Sequence, residues 1–360
     1  MAFDLIKLLT DVFQPEAGEV VVVACDEPAE AAADTPDWQE RRVMAEEWRR
    51  AFEALGKGRG FTTYPLLTYR ATGANNAELP ATGRLGDREV VLDDVLMAAT
   101  LAAFLTQFSA TAPLDGHTRR KGDFRAASLP GVAKRMEQSA LAADYREVAR
   151  RCQILLSIVD GARAIEVDFS SGHRCSFDVR HRKPEADDGF LPRHKKGDRV
   201  INLPSGEVFI VPYEGELHGE PSRTAGSIPV AAGREICVLR VEGNRITKVE
   251  GSGPEAARLR RLFDADPARA NVAEVAFGCN EWARVSGIVL EDEKAGFHWA
   301  YGRSEHLGGT VGPSQFASPA TVLHQDIVYA KGNPIQVARA VVVKDSARTT
   351  VMRNGAYVVF

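Results

Sequence analysis

The sequence predicts two domains: an α/β N-terminal domain with a parallel sheet over residues 1–185, and a strand-rich α+β C-terminal domain over 186–360. Three observations carry this expectation. The chain has 360 residues, more than a single core accounts for at about 150 residues per domain. Its first half alternates β-branched runs with amphipathic helical stretches, the order of a sheet with crossover helices. After residue 162 the pattern changes to short period-two strands separated by glycine turns.

The first eleven residues carry Asp4, Lys7 and Asp11 among apolar positions, which predicts a short amphipathic helix and not the apolar core of a signal peptide. Glu-Val-Val-Val-Val-Ala at 19–24 reads as a strand covered on both faces. Residues 36–55 place Trp38, Met44, Trp48, Phe52 and Leu55 at helical spacing and run into Gly-Lys-Gly-Arg-Gly at 56–60. That cluster follows a helix, whereas a dinucleotide fingerprint follows a strand and opens a helix, so a C-cap and turn is expected there. A strand is expected at 61–69. The uncharged stretch 95–114 contains Thr100, Thr106, Gln107, Ser109, Thr111 and Pro113, and reads as a helix running into a buried strand, not a membrane span. Another helix is expected at 144–159.

In the second half, 164–169 and 175–179 form a hairpin across Ser-Ser-Gly, and the charged segment 180–199 is expected to be an exposed connector. A second hairpin joins 236–241 to 245–250 through Glu-Gly-Asn, followed by a helix at 254–263. Of the apolar C-terminal strands, 338–343 is assigned to the core and 356–360 to a domain or subunit boundary.

Composition narrows the function classes. Lys+Arg total 45 against 49 Asp+Glu, a net charge of −4 that offers no basic field for nucleic acid and no polybasic membrane anchor. The five cysteines are scattered and never form a C-x-x-C pair, which predicts reduced thiols and a cytoplasmic location. Walker A, G-x-S-x-G and H-E-x-x-H motifs are absent from the sequence.

Four segments of the second half carry chemistry: Asn-Leu-Pro-Ser-Gly-Glu-Val-Phe at 202–209, Ala-Glu-Val-Ala-Phe-Gly at 273–278, Glu-Asp-Glu-Lys-Ala-Gly-Phe-His at 291–298, and His-Gln-Asp at 324–326. His324 and Asp326 lie at i and i+2, the same face of a strand. Glu274 sits within an apolar strand, where an unpaired carboxylate is costly and a metal or basic partner removes the cost.

Taken in order, these segments resemble the metalloaminopeptidase family that includes aminopeptidase T, aminopeptidase II and PepS, over essentially the whole chain. The resemblance implies a catalytic C-terminal domain with a two-metal site, and a homodimer enclosing it. Carried over residue by residue, it implies Glu207, Glu274, Glu293, His298, His324 and Asp326 as metal ligands, with Glu274 bridging and Glu293 as base or ligand. Four carboxylates and two imidazoles suit Zn²⁺, Co²⁺ or Mn²⁺. One or two such ions, with a metal-activated water, would hydrolyse an amide bond in a peptide or small-molecule substrate.

One position departs from the pattern. The family's catalytic tyrosine falls seven residues after the strand histidine, on Glu305, and an ionised glutamate cannot donate to an oxyanion. Tyr301 has the wrong parity along the strand; Glu305 and the adjacent His306, a donor when protonated, are the candidate catalytic side chains there, with Arg303 as the alternative donor. The chain also resembles 2,5-dihydroxypyridine dioxygenase, a mononuclear iron(II) enzyme. That family has histidine at the position of Glu274 and lacks the glutamate at Glu207, so the residues side with the two-metal hydrolases. Fe(II) is the cofactor implied by the alternative.

Overall fold

The computed structural model describes every residue except Met1, Ala2, Ala31, Ala32, Asp198 and Arg234. It divides into two compact units: Met1–Ala149 with Asp187–Ser205 and Asn280–Glu291, and Arg150–Ala186 with Gly206–Cys279 and Asp292–Phe360. This differs from the expected single boundary at 185/186. Strand pairing is the reason. The Ala164–Phe169 and Arg174–Asp178 hairpin is hydrogen-bonded on one side to Val337–Val343 and on the other to Ala225–Ala232, so it belongs with the C-terminal strands. Conversely, Val200–Asn202 pairs in parallel with Arg125–Pro130 of the first unit.

The first unit is an α/β layer structure. Its sheet runs in the order Val200–Asn202, Arg125–Pro130, Leu101–Thr106, Val20–Glu27, Leu67–Arg70, Thr82–Leu85 and Arg88–Val91, with Thr62–Thr63 also on Val20–Glu27. The pairs around Val20–Glu27 are parallel and the last two are antiparallel. Burial of Val21 to Cys25 and of the whole Leu101–Thr106 strand explains their unbroken apolar runs. The helix Pro36–Arg59 has proline at its start, Asp37 in its first turn and Lys57 and Arg59 in its last, and it buries Met44, Trp48 and Phe52, one per turn. It runs through most of the expected turn at 56–60. Gly56 lies against the Phe61 carbonyl, where a Cβ would come within 2.5 Å, so this glycine serves a close approach and the left-handed C-cap falls on Gly60. The expected strand at 61–69 is two short strands. The connector at 180–199 is not wholly exposed, because Leu191 is buried and receives the Arg125 Nε–H on its carbonyl. Among the described residues no helix is long and apolar enough to cross a membrane.

The second unit contains an eight-stranded antiparallel sheet and most of a five-stranded one. The expected hairpin around Glu242 to Arg245 and the helix Pro254–Ala265 are both present. The smaller sheet positions the candidate site.

Candidate metal centre

Four antiparallel neighbours of the smaller sheet, Glu207–Ile210, Val272–Gly278, Phe297–Gly302 and His324–Tyr329, supply five of the six predicted ligands. Their register aligns the site. Glu207 stands opposite Gly278, Glu274 opposite Ala300, Ala300 opposite Asp326, Gly302 opposite His324, and His298 opposite Ala276. Cross-strand partners and i, i+2 neighbours share a face. Glu207, Glu274, His298, His324 and Asp326 therefore project from one side, and the intervening alanines and glycines leave them room. The other face carries Val275, Phe277, Phe297, Trp299 and Tyr301, all buried. Tyr301 packs edge-on against Phe263, so it faces the core as its parity predicts and contributes nothing to the site.

The five side chains form two groups of convergent donor atoms that share one residue: Glu207, Glu274 and His298, and Glu274, His324 and Asp326, with all atoms of a group within 4.8 Å of one another. The His298 Nε2 lies 3.3 Å from Glu207 Oε2 and 3.6 Å from Glu274 Oε1. On the other oxygen of Glu274, His324 Nε2 lies 3.0 Å from Oε2 and 3.5 Å from Asp326 Oδ1. Each ring is oriented by its second nitrogen. His298 Nδ1 faces the Gly296 carbonyl at 3.3 Å and His324 Nδ1 the Arg303 carbonyl at 2.7 Å. A carbonyl only accepts, so Nδ1–H must donate, and the Nε2 lone pair of each neutral ring points at carboxylate oxygens.

With the rings neutral, acceptors face acceptors, a contact that either a proton on Nε2 or a divalent ion relieves; His324 Nε2 is within hydrogen-bond distance of Glu274 Oε2. Among the described residues, Glu207 Oε2, His298 Nε2 and Asp326 Oδ1 are buried and have no hydrogen-bond partner, an arrangement an ion would resolve. With protons as the only cations, the same crowding shows in the titration. Burial opposes charging of both imidazoles, yet Glu207 and Glu274 hold His298, and Asp326 and Glu274 hold His324, well above the ordinary value. Burial would raise the Glu274 carboxyl, but His298 and His324 bring it far below the usual range. Glu207 is lowered against the same burial by Lys294 and His298. The donor set of carboxylates and imidazoles thus fits borderline divalent ions.

Glu293 stands apart from both groups of donor atoms. It lies in the tight turn Glu293–Ala295, not on a strand, and its Oε1 is 2.6 Å from Lys294 Nζ. Burial, reinforced by Glu207 and Asp326, pushes its carboxyl up to about 8 despite Lys294. The turn is held against the sheet at Gly278, where a Cβ would come within 2.1 Å of the Glu293 carbonyl oxygen. Lys294 itself escaped the sequence reading. Its side chain is 0% exposed and its Nζ is also 2.6 Å from Glu207 Oε1. The signal available was charge balance: four clustered carboxylates call for a cation, and Lys294 adjoins one of them.

Glu305 and His306 separate. The Glu305 carboxylate is half exposed and pairs with Arg303 at 2.7 Å, so it does not join the cluster. The His306 ring lies edge-on to His324, with centroids 5.0 Å apart. Crowding by neighbouring atoms and the charges of His324 and Arg303 lower the ring below the ordinary histidine value although the residue is exposed to solvent, which disfavours the protonated donor the sequence invites.

No protein-family model and no curated protein matches this chain. Solved structures do. The 2,5-dihydroxypyridine dioxygenase from Pseudomonas putida KT2440 superposes with a TM-score of 0.65 at 16% identity, covering 98% of this chain and 96% of its own. AmpT from Thermus thermophilus superposes with a TM-score of 0.55 at 17% identity, covering 99% of both chains. At these identities the likeness is one of fold: an N-terminal α/β unit with a mostly parallel sheet and a strand-rich C-terminal region, over the full length of each relative.

Proposed function

We propose that this chain is a divalent-metal-dependent hydrolase of amide bonds, acting on a short peptide or a small amide metabolite. The observation that carries the reading is the sharing of Glu274 between two donor groups, each with a single histidine. A facial triad for iron(II) needs two histidines and one carboxylate on one ion. Among the described residues neither group has that composition. Glu207, Glu274 and His298 would hold one ion, and Glu274, His324 and Asp326 the other. When bound, such a pair supplies an activated water and a Lewis acid for the scissile carbonyl.

The remaining work falls to side chains outside the two groups. Glu293, with its raised carboxyl, is suited to hold a proton near neutral pH and deliver it to the leaving amine. His306, edge-on beside His324, offers a ring N–H toward a developing oxyanion in place of the missing tyrosine.

The second reading, a non-haem iron(II) ring-cleaving dioxygenase, draws on the larger structural overlap with the pyridine dioxygenase. Two assays separate the readings. Release of p-nitroaniline from aminoacyl p-nitroanilides, or of amine from small amides, in the presence of Zn²⁺, Co²⁺ or Mn²⁺ and without oxygen supports the hydrolase. Oxygen uptake with 2,5-dihydroxypyridine and one iron per chain replaces it.

A further inference from the structure

Lys294 is a fully buried ammonium between two carboxylates, 2.6 Å from Glu207 Oε1 and 2.6 Å from Glu293 Oε1. A lysine ammonium donates three hydrogen bonds and accepts none, so while charged it cannot bind a metal ion. Glu207 is thereby divided: one oxygen is committed to Lys294, and Oε2, without a hydrogen-bond partner among the described residues, faces His298. Glu293 is tied to the same ammonium and contributes to neither donor group. The attachment is rigid, because the turn carrying both residues is wedged onto Gly278, directly across the ladder from Glu207.

We infer that Lys294 is a positioning residue that makes Glu207 a one-oxygen ligand, keeps Glu293 out of the coordination shell, and renders the Glu207–Glu274–His298 position the weaker of the two metal sites. This rests on the two-ion reading and deepens it. The physical basis is charge and donor count. One fixed positive charge beside a divalent ion opposes its binding, and two carboxylate oxygens that would otherwise be free to ligate are occupied. What the arrangement gains is a carboxylate left available for proton transfer next to the ions, in place of a fourth ligand.

The test is competition titration of the full-length protein with Zn²⁺ against a chelator, native beside Lys294→Met. The variant should bind its second zinc at least about tenfold more tightly, at about 1.4 kcal/mol per factor of ten, while its metal-free form melts at lower temperature than native. A lysine that merely filled space would give no such tightening, so unchanged or weaker second-zinc affinity in Lys294→Met overturns the inference. Because the methionine variant can fail to fold, a crystal structure of the zinc-loaded native protein provides an independent check. Lys294 Nζ should remain within about 3.2 Å of Glu207, with a single Glu207 oxygen and no Glu293 oxygen on the metal. Bidentate Glu207 or ligation by Glu293 overturns it. Native protein that takes up no zinc removes the two-ion reading together with this inference, whereas two zincs in the native protein without tightening in the variant removes this inference alone.

Discussion

Replacing Glu274 by glutamine should empty both metal positions at once. Its two oxygens face different histidines, Oε1 at 3.6 Å from His298 and Oε2 at 3.0 Å from His324. The amide keeps the shape, removes the negative charge, and turns one oxygen into an NH₂ group that has no lone pair for a cation. One position loses a donor outright, and the other keeps only a neutral carbonyl oxygen. Removing one partner of a buried charge arrangement costs about 3–5 kcal/mol. At about 1.4 kcal/mol per factor of ten, affinity should fall by roughly two to three and a half powers of ten. Elemental analysis after dialysis against a weak chelator reads the result. Native protein should retain two divalent ions per chain, Glu274→Gln close to none, and Glu293→Gln, altered outside both donor groups, the native content. Retention of one ion by Glu274→Gln would refute the shared-ligand geometry.

Three further outcomes follow from the same geometry. Glu293→Gln should lower kcat by about 10²- to 10⁴-fold in steady-state assays while leaving metal content unchanged; a variant within twofold of native activity removes Glu293 from proton transfer. In chelated protein, His298 and His324 titrate above their unfolded value, so their stabilising contribution is complete below about pH 6.5 and is lost as pH rises through their folded values. Glu207 and Glu274, which titrate below theirs, contribute above about pH 4.5 and lose that contribution as pH falls through their lower folded values. The melting temperature of chelated protein should therefore peak between these limits and decline on the alkaline side, with added zinc abolishing the decline; a melting temperature that climbs steadily to pH 9 without metal contradicts the electrostatic account. Tyr301→Phe should leave turnover within about twofold of native, because the ring faces the core, and a loss of about 10²-fold would return the oxyanion role to this tyrosine.

The strands that carry the site were legible because two periodicities cooperate. Glu274 interrupts an apolar strand, and His324 and Asp326 obey the i, i+2 rule, so parity alone places them correctly and turns Tyr301 away. Parity does not reach into turns. Glu293 and Lys294 lie in a single tight turn whose orientation is set by contact with Gly278, and nothing in Glu-Asp-Glu-Lys distinguishes that geometry from a solvated loop. Glu305, likewise outside a strand, is drawn to Arg303. At the level of the fold, local pattern located most elements, including the 164–178 hairpin, but not its membership. Which unit a hairpin joins depends on pairing with Val337–Val343, far along the chain, and long-range pairing leaves no local signal. The glycine cluster at 56–60 supplies the expected C-cap at Gly60, but the helix runs through the rest of it, and the close contact of Gly56 with Phe61 has no local signal.

The central claim, two ions held through one shared glutamate in an enzyme that hydrolyses amides, is tested most directly by titrating chelated protein with Co²⁺ under anaerobic conditions and following visible absorption and amide hydrolysis together. Two equivalents are expected at saturation, with hydrolysis reaching its maximum only as the second equivalent binds. Saturation at one equivalent without hydrolysis, together with oxygen uptake after Fe(II) is added in place of Co²⁺, would contradict it.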